Sequence, residues 1–213
     1  MIKRSLQAVT IFLFMISLAI FITVNSVWLF RISIPIFGLT DLTGLYVPQM
    51  MHEYLKMIGY LQLPWQSALH FDFFASSAQG LQHFKDVRSL VMVNNAVMII
   101  SGIASGLILG QLVQTKRLYN LLNPLRLLIA MLVAVAGIMA VNFDQAFVWF
   151  HQLFFRNNYW LFDPNQDEVI NMLPDGFFAL CFLFFGVLVA AEILGLWLMI
   201  RHQLNEMKTE KKD

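Results

Sequence analysis

Residues 177–200 read FFALCFLFFGVLVAAEILGLWLMI, an apolar run that contains one charged residue, Glu192. A helix needs roughly 20 apolar residues to cross the hydrocarbon core of a bilayer, so this run is long enough to span a membrane. Three other runs meet the same condition, at 6–30, 90–112 and 125–143. Only 13% of the 213 residues are charged, whereas soluble domains carry about 25%. We therefore predict an all-α membrane protein with four transmembrane helices.

The first run, 6–30, follows Lys3 and Arg4 and has the layout of a signal peptide. Its apolar stretch is far longer than the roughly 7–15 residues of a signal-peptide core, and no small-x-small cleavage site follows it. We interpret it as a retained helix. The single cysteine, Cys181, lies in an apolar run and has no intrachain partner for a disulfide. We predict one integral membrane domain over residues 1–213.

The basic residues predict which side of the membrane each segment faces, because cytoplasmic loops are enriched in Lys and Arg. With both termini inside, nine of the 14 basic residues are cytoplasmic and five are outside. The inner group is Lys3, Arg4, Lys116, Arg117, Arg126, Arg201, Lys208, Lys211 and Lys212. We expect two regions, 31–89 and 144–176, to cap the outer face and to hold any chemistry.

Two features lie inside the predicted spans. Small residues recur at every fourth position at Gly102, Gly106 and Gly110. This spacing lets a neighbouring helix approach closely, and we interpret it as helix packing. Glu192 is the one carboxylate deep in a span, where ionisable groups often mark function. We expect it to be protonated, or to pair with Lys116 or Arg117.

Residues 48–60 predict an amphipathic helix, because five side chains share one face at helical spacing. They are Met50, Met51, Tyr54, Leu55 and Ile58. Such a helix either lies in the headgroup zone or packs as a lid on its own protein, and the sequence leaves both open. His52 and His70, in the same region, are expected to be surface or capping residues rather than catalytic ones.

His83 and Asp86 lie in the segment HFKDVR, residues 83–88, just before the second predicted span. If the helix begins by His83, the two residues are neighbours at i and i+3, and the carboxylate could orient the imidazole and raise its basicity. Arg88 would lie at the outer bilayer surface. The alternative is an ordinary interfacial helix start whose Lys85 and Arg88 reach towards water, and the hexapeptide alone favours it.

The second outer region begins with NFDQAFVWFHQLF, residues 142–154. One face carries phenylalanines at helical spacing: Phe143, Phe147, Phe150 and Phe154. On the adjacent face Asp144 and His151 are two turns apart, about 10 Å along a helix, so they do not touch directly. His151 is a titratable group among aromatic rings near the lipid boundary. It is either functional or a hydrogen-bonded interfacial residue.

The following residues, 160–174, predict a turn and a short helix that Pro174 ends. Asp163 precedes Pro164, which suits a helix N-cap with proline at the first helical position, and Asp167 suits the first turn. Both carboxylates are more simply explained by structure than by catalysis. The nearby aromatic residues fit an interfacial belt: Trp149, Tyr159 and Trp160.

Three patterns together resemble an integral membrane family whose characterised members are the lipoprotein intramolecular transacylases, called Lit. The patterns are FDxxFxxFHxxF at 143–154, WxxDPxxD at 160–167 with PxxFF at 174–178, and HxxDVR at 83–88. The four-span layout also looks like that family, so the resemblance covers nearly the whole chain. The pattern over residues 142–178 is specific to that family, whereas the pattern at 83–88 is short and less specific.

The resemblance implies a reaction. Lit moves the sn-2 acyl chain of a lipoprotein's diacylglyceryl-cysteine onto the free α-amino group of the same cysteine, which gives the lyso form, and the family needs neither cofactor nor metal. The implied partners are a diacylated bacterial lipoprotein as substrate and membrane lipid, in a bacterial cell membrane. The net charge of +1 suggests no nucleic-acid partner. The oligomeric state stays open, and a monomer fits.

The residues fit that chemistry. An α-amino group with a pKa of about 8 is largely protonated near neutrality, so it needs a base, and the departing glycerol oxygen needs a proton. Histidine can do both. We expect His151 to be the general base and then the proton donor, and His83 to be the second base or the oxyanion stabiliser, oriented by Asp86.

Other roles implied by the resemblance are less specific. Arg88 would stabilise the oxyanion or help to place the substrate. Which histidine takes which role stays open, as does an acyl-histidine intermediate. Supporting roles are expected for Asp86, Arg88, Asp144, Trp160 and Asp163.

Three other functions are compatible with the sequence. A non-catalytic binding or chaperone module for lipoproteins or envelope factors would use the same outer surface but tolerate loss of His151. A transporter or channel would have Glu192 as its only carboxylate within a span. A membrane metalloenzyme would take His83, His151 and a carboxylate as three ligands, although the chain has no HExxH motif.

Overall fold

The computed structural model describes the backbone of residues 2–210 and the side chains of residues 4–210, and no strand occurs in that range. Its α-helices are α1 (Ile2–Asn25), α2 (Val27–Ile36), α3 (Leu39–Thr43), α4 (Val47–Gln62), α5 (Ala78–Gln114), α6 (Leu122–Val141), α7 (Phe143–Phe154) and α8 (Asp175–Thr209). Two 3₁₀ helices, η1 (Leu118–Leu121) and η2 (Glu168–Met172), precede α6 and α8. Lys3, Lys211 and Lys212, which contribute to the charge bias, lie outside the described side chains.

Four helical segments are long and apolar enough to cross a membrane. They are Arg4–Asn25, Ala78–Gln114, Leu118–Val141 and Asp175–Thr209. Each contains most or all of one predicted apolar run, so the prediction of an all-α protein with four spans is confirmed. The second and fourth helices extend well beyond the apolar runs 90–112 and 177–200, and the added turns of α5 carry His83.

The first span ends earlier than its apolar run, at Asn25 rather than at residue 30. Ser26 leaves helical geometry with φ −81° and ψ 69°, while its Oγ donates to the carbonyl oxygen of Ile22 at 2.8 Å. The side chain of Asn25 donates to Phe21 in the same way. Such side-chain bonds compete with the backbone ladder, so a second helix, α2, starts at Val27 and contains Phe30.

The third span also ends earlier, at Val141 rather than at Phe143. Asn142 has extended backbone geometry and its Oδ1 accepts a hydrogen bond from the backbone N–H of Gln145 at 3.0 Å. This is the N-cap bond that asparagine forms at helix starts. The cap separates α6 from α7 and sets where the helix that carries His151 begins.

The chain forms two compact units. The first unit comprises Met1–Ile20, Asn94–Ala140 and Phe184–Asp213. Its buried core combines Ala8, Ile11, Met15, Leu112, Leu118, Leu121, Leu125, Leu128, Leu196 and Ile200. A Cβ on Gly102 would lie 2.9 Å from the Phe14 ring, whereas nothing lies within 4 Å of one on Gly106 or Gly110. Close helix approach is therefore confirmed at one of the three predicted glycines.

Glu192 in the first unit does not form either of the expected ion pairs. Its Oε2 is buried and has no hydrogen-bond partner among the described residues. Lys116 instead pairs with the carboxylate of Glu210. The expectation of a Lys116 or Arg117 partner for Glu192 is therefore wrong for the part of the chain that the structure describes.

The second unit comprises Phe21–Val93 and Val141–Leu183. Phe30 of α2 stacks on Tyr54 of α4 with ring centroids 4.1 Å apart, and Phe177 of α8 meets Phe30 edge-on at 5.8 Å. Met50 and Tyr54 are buried, whereas Leu55 is 52% exposed. The amphipathic helix predicted at 48–60 therefore exists, and its buried face packs on its own protein as in the lid alternative.

A buried carboxylate, Glu53, anchors the segment between α4 and α5. Glu53 is fully buried, and its Oε1 accepts the backbone N–H groups of Asp72 at 2.6 Å and Phe73 at 2.7 Å. His52 and Lys56, on the exposed side of the same helix, each bond Asp72 at 2.8 Å. His52 and His70 are both exposed, in line with the expected surface roles.

Candidate active site

His83 and His151, which are 68 positions apart in sequence, lie together in the second unit. His83 lies in the second turn of α5 and His151 in the last turn of α7. Their ring centroids are 5.9 Å apart, and each residue is only 8% exposed. The structure thus brings together the two histidines that the sequence singles out and removes both from water.

Aromatic rings enclose the two imidazoles. Phe155 contacts both, with centroids 4.8 Å from His83 and 5.6 Å from His151. Phe147 lies 4.2 Å from the His151 ring and Phe162 lies 5.5 Å from the His83 ring. The phenylalanine rings carry no hydrogen-bonding group, so the polar atoms of this enclosure belong to other groups, among them the nitrogens of the two histidines.

The hydrogen bond of His151 fixes its tautomer. Its Nδ1 lies 2.8 Å from the carbonyl oxygen of Phe147, one turn earlier in α7. A carbonyl oxygen only accepts, so the proton must be on Nδ1, and Nε2 carries the free lone pair of the neutral ring. Burial lowers the pKa of His151 below its ordinary value, and the bond to Phe147 opposes that shift. Burial thus favours the neutral form of the His151 ring, in which Nε2 is the basic nitrogen.

Two buried polar atoms in the site have no partner among the described residues: Nδ1 of His83 and Nε1 of Trp160. Trp160 stacks on His151 with centroids 4.7 Å apart and an interplanar angle of 26°, so it belongs to the site. An indole N–H can only donate. Leaving such a donor buried and unpaired costs about 1–3 kcal/mol, which a bound acceptor would recover.

Asp86 does not hold His83 as expected. Its Oδ1 accepts from the side chain of Gln82 at 2.8 Å and its Oδ2 accepts from the side chain of Asn157 at 2.9 Å. The predicted helical proximity is present, because α5 begins at Ala78, but both carboxylate oxygens bond elsewhere. Asp86 thus ties α5 to the segment after α7. Asn157 belongs to no recognisable sequence motif, so the sequence alone does not point to it.

Arg88 bonds backbone carbonyl groups at and after the end of α4. Its guanidinium donates to the carbonyl oxygen of Gln66 at 2.6 Å and to those of Leu63 at 2.9 Å and Pro64 at 3.0 Å. It lies 4.6 Å above the Tyr60 ring. These contacts fix the end of α4 and the loop after it, so the arrangement gives no support to an oxyanion role for Arg88.

The remaining predicted carboxylates lie outside the histidine pair. Asp163 is exposed, and its Oδ1 accepts from the backbone N–H of Asn165 at 3.0 Å. This bond caps a single turn, in which the backbone N–H of Asp167 donates to the carbonyl oxygen of Asp163 at 2.8 Å. The short helix η2 begins later, with Asp167 at its N-cap. Asp144 is exposed in the first turn of α7, seven residues before His151.

A cavity of about 310 Å³ adjoins the histidines. It is lined by Asp86, Ser89, Leu90, Phe154, Phe155, Arg156 and Asn157. Phe155 lines this cavity and also contacts both imidazoles, so the cavity lies beside the histidine pair. The cavity offers a carboxylate, a guanidinium group, an amide, a hydroxyl and apolar surface next to the candidate base.

A comparison with known protein families shows which family the chain belongs to. The model of the family described as lipoprotein intramolecular transacylase Lit matches residues 5–178. The chain belongs to the Lit family. It is accordingly a membrane-integral acyltransferase. No curated protein matches the Lit chain significantly.

Solved structures agree with the family assignment. The membrane-integral lipoprotein intramolecular transacylase Lit from Bacillus cereus is 26% identical and superposes with a TM-score of 0.92, covering 97% of this chain and 96% of that one. Two more structures of the Bacillus cereus protein, with a histidine replaced by arginine or alanine, give TM-scores of 0.85, again at 26% identity and over 97% of this chain. They cover 92% and 94% of those chains.

The described part of this Lit chain holds no group of three or more His, Cys, Asp or Glu residues placed to bind a metal ion. His83 and His151 are close together, but the nearest predicted carboxylate, Asp86, is engaged by Gln82 and Asn157. Residues 4–210 therefore offer no set of metal ligands for the metalloenzyme alternative.

Asp167 fixes the start of α5 in this Lit protein, a contact that sequence reasoning missed. Its carboxylate is 5% exposed and accepts from the backbone N–H of Ser77 at 2.8 Å and from the Ser77 hydroxyl at 2.9 Å. Gly80, in the first turn of α5, passes so close that a Cβ there would lie 2.1 Å from Oδ1 of Asp167. This contact places the helix that carries His83.

Replacing Gly80 with alanine should therefore destabilise this Lit protein by about 1–3 kcal/mol, the usual cost of forcing an extra methyl group into a packed site. The apparent Tm in detergent measures it. Gly106→Ala is the matched control, because nothing lies within 4 Å of the added Cβ and alanine favours the helix by about 1 kcal/mol over glycine. Equal Tm values for the two variants would contradict the close contact between α5 and Asp167.

Proposed function

We propose that this protein is an intramolecular O-to-N transacylase. It moves the sn-2 acyl chain of a diacylglyceryl-cysteine at the N-terminus of a bacterial lipoprotein onto the α-amino group of the same cysteine. The observation that carries the proposal is the buried pair of His83 and His151, 5.9 Å apart within an aromatic enclosure, in a chain of the Lit family.

His151 acts as the base. The neutral α-amino group attacks the carbonyl carbon of the sn-2 ester, and Nε2 of His151 takes a proton from the attacking nitrogen. The tetrahedral intermediate then collapses: the bond from carbon to glycerol oxygen breaks, and His151 returns the proton to that oxygen. One ester bond is exchanged for one amide bond, and the hydrogen lost from the amine ends on the new glycerol hydroxyl, so the product has the same mass as the substrate. Holding amine and ester in one folded substrate supplies a large proximity effect.

Trp160 and His83 stabilise the intermediate. The carbonyl oxygen of the ester becomes an oxyanion as nitrogen attacks, and a preorganised donor in a water-poor site stabilises such charge strongly. Nε1 of Trp160 is a buried donor with no partner among the described residues, next to His151. His83 is the second base or shares the oxyanion with Trp160.

The remaining residues place the substrate. Asp86, in the cavity next to Phe155, attracts the protonated α-amino group before it loses its first proton to solvent. The aromatic enclosure keeps water from competing with the amine for the ester. The bias of basic residues supports cytoplasmic termini and an outward-facing histidine site.

Mass spectrometry of a co-expressed diacylglyceryl lipoprotein tests this function. In cells that lack other N-acylation enzymes, the N-terminal lipopeptide should keep its total mass while one acyl chain moves from an alkali-labile ester to an alkali-stable amide. Cells without the protein should show both chains as esters. An unchanged acyl pattern at full membrane abundance would refute the transacylase and favour the binding or chaperone module.

The lowered pKa of His151 predicts how the stability of the fold changes with pH. The folded protein binds the His151 proton less tightly than the unfolded chain, whose histidine pKa is about 6.5. As pH falls through that value the unfolded state takes up the proton first, so acidification destabilises the fold, and the base form persists into mildly acidic solution. Imidazole NMR should show a resonance that titrates below the ordinary value and is missing from His151→Gln. Titration at or above that value would contradict the buried, neutral base.

A further inference from the structure

A second polar recess, of about 200 Å³, lies in the first unit. It is lined by Arg4, Gln7, Gln111, Leu112, Thr115, Arg117 and Asn120. These residues contribute two guanidinium groups, three side-chain amides and one hydroxyl to a small volume. The lining residues that the structure describes include no carboxylate, so the recess carries positive charge and is rich in hydrogen-bond donors.

The recess lies at a membrane boundary. Arg4 begins the span Arg4–Asn25, and Gln111 is in the last turn of the span Ala78–Gln114. The next span begins at Leu118, one residue after Arg117. Three spans therefore begin or end around the recess, which is the level at which phospholipid headgroups meet a membrane protein. The basic-residue bias predicts that this face is cytoplasmic.

The turn that carries Arg117 is held firmly in place. Lys116 before it has φ +53°, a left-handed conformation that non-glycine residues rarely adopt. Gln203 of α8, 6% exposed, accepts the backbone N–H of Leu118 at 2.9 Å and donates to the carbonyl oxygen of Val113 at 3.0 Å. One buried side chain thus bridges both sides of the turn, so the wall of the recess is preorganised.

The charges of the recess are not neutralised within the described protein. Lys116, the neighbouring cation, pairs with Glu210. Arg4 and Arg117 form no ion pair among the side chains of residues 4–210, and both are exposed. The oxygens of a phosphate group match the planar donor pairs of arginine, so two guanidinium groups in one recess are suited to an anion of this kind.

We propose that this recess binds the phosphate headgroup of an anionic phospholipid. Basic pockets between transmembrane helices at the cytoplasmic face are a recurrent form of lipid site. Apolar side chains are exposed at nearby positions of the chain: Leu6 of α1 is 65% exposed and Val113 of α5 is 44% exposed. The position of the recess where three spans begin or end, close in sequence to these exposed apolar side chains, favours a lipid over a free phosphate ion.

Native mass spectrometry of the purified protein with added phosphatidylglycerol tests the site. Each basic residue near an anionic headgroup contributes about fivefold in affinity, so the Arg4→Gln/Arg117→Gln variant should bind about 25-fold more weakly and the Arg117→Gln variant about fivefold more weakly. The matched control, Arg126→Gln/Arg201→Gln, removes the same charge outside the recess and should bind like the wild type. Unchanged apparent Tm values confirm that the variants are folded.

Three results would overturn the proposal. Equal weakening in the control variant would show that only net charge matters, and equal binding of phosphatidylcholine would show that the anionic headgroup is not recognised. Displacement of bound lipid by millimolar inorganic phosphate would assign the recess to a soluble anion. Acyl transfer is expected to persist in the Arg117→Gln variant, so failure of this proposal is distinguishable from failure of the proposed transacylase.

Discussion

The His151→Gln variant is expected to lose about 10²- to 10⁴-fold in kcat, the usual contribution of a general acid–base residue. Glutamine retains a donor near the carbonyl oxygen of Phe147, which His151 bonds at 2.8 Å, but offers no basic nitrogen in place of Nε2. The amine proton then has no acceptor inside the aromatic enclosure, and the departing glycerol oxygen has no donor. Purified enzyme with a synthetic diacylglyceryl lipopeptide gives the measurement.

Exposed histidines provide the control for that loss. His70→Gln changes the same residue type on the surface and should keep kcat within about twofold, as surface substitutions usually have small effects. The apparent Tm of the His151→Gln variant should stay close to that of the wild type. Activity retained by a folded His151→Gln protein would show that this imidazole is not the base.

The Trp160→Phe variant is expected to lose about 10²- to 10³-fold in kcat, the typical effect of removing one oxyanion donor. Phenylalanine keeps an aromatic ring against His151, whose centroid lies 4.7 Å from that of Trp160, but it removes the buried N–H that has no partner among the described residues. A donor that acts on the transition state lowers kcat and leaves KM nearly unchanged. Steady-state kinetics on the same lipopeptide separates the two parameters.

Trp149 gives a matched comparison for that substitution. It is 55% exposed on α7, two residues from His151, and Trp149→Phe should retain activity within about twofold. If Trp160→Phe raised KM alone, the indole would contribute to substrate binding only. If both variants behaved alike, the N–H group of Trp160 would have no part in the reaction.

The four spans were predictable because hydropathy is a local property of the sequence. Length and apolarity place all four spans, and Pro48 marks the start of the amphipathic α4 within one residue. The break at Ser26 was missed because it depends on side-chain bonds from Asn25 and Ser26 to carbonyl oxygens one turn earlier. Such bonds end a helix within a continuous apolar run, so composition alone extends the first span too far.

The histidine site was only partly predictable, because its contacts join distant parts of the chain. The resemblance to the Lit family pointed to His83 and His151, and the structure places them 5.9 Å apart. Local spacing pointed to Asp86 as the partner of His83, yet Asp86 bonds Asn157, 71 positions away. Arg88 likewise bonds carbonyl groups more than 20 positions before it. These partners depend on how the helices pack, which no single pattern in the sequence reports.

A crossover experiment tests the central claim most directly. Two lipopeptides, one with a deuterated sn-2 acyl chain and the other with an isotope-labelled peptide, are mixed with the purified protein, and the N-acylated products are analysed by mass spectrometry. Intramolecular transfer predicts that each peptide carries only its own acyl chain as an amide, at unchanged mass. A product in which the deuterated chain is attached to the labelled peptide would contradict the intramolecular mechanism, and a complete absence of amide product would contradict the transacylase itself.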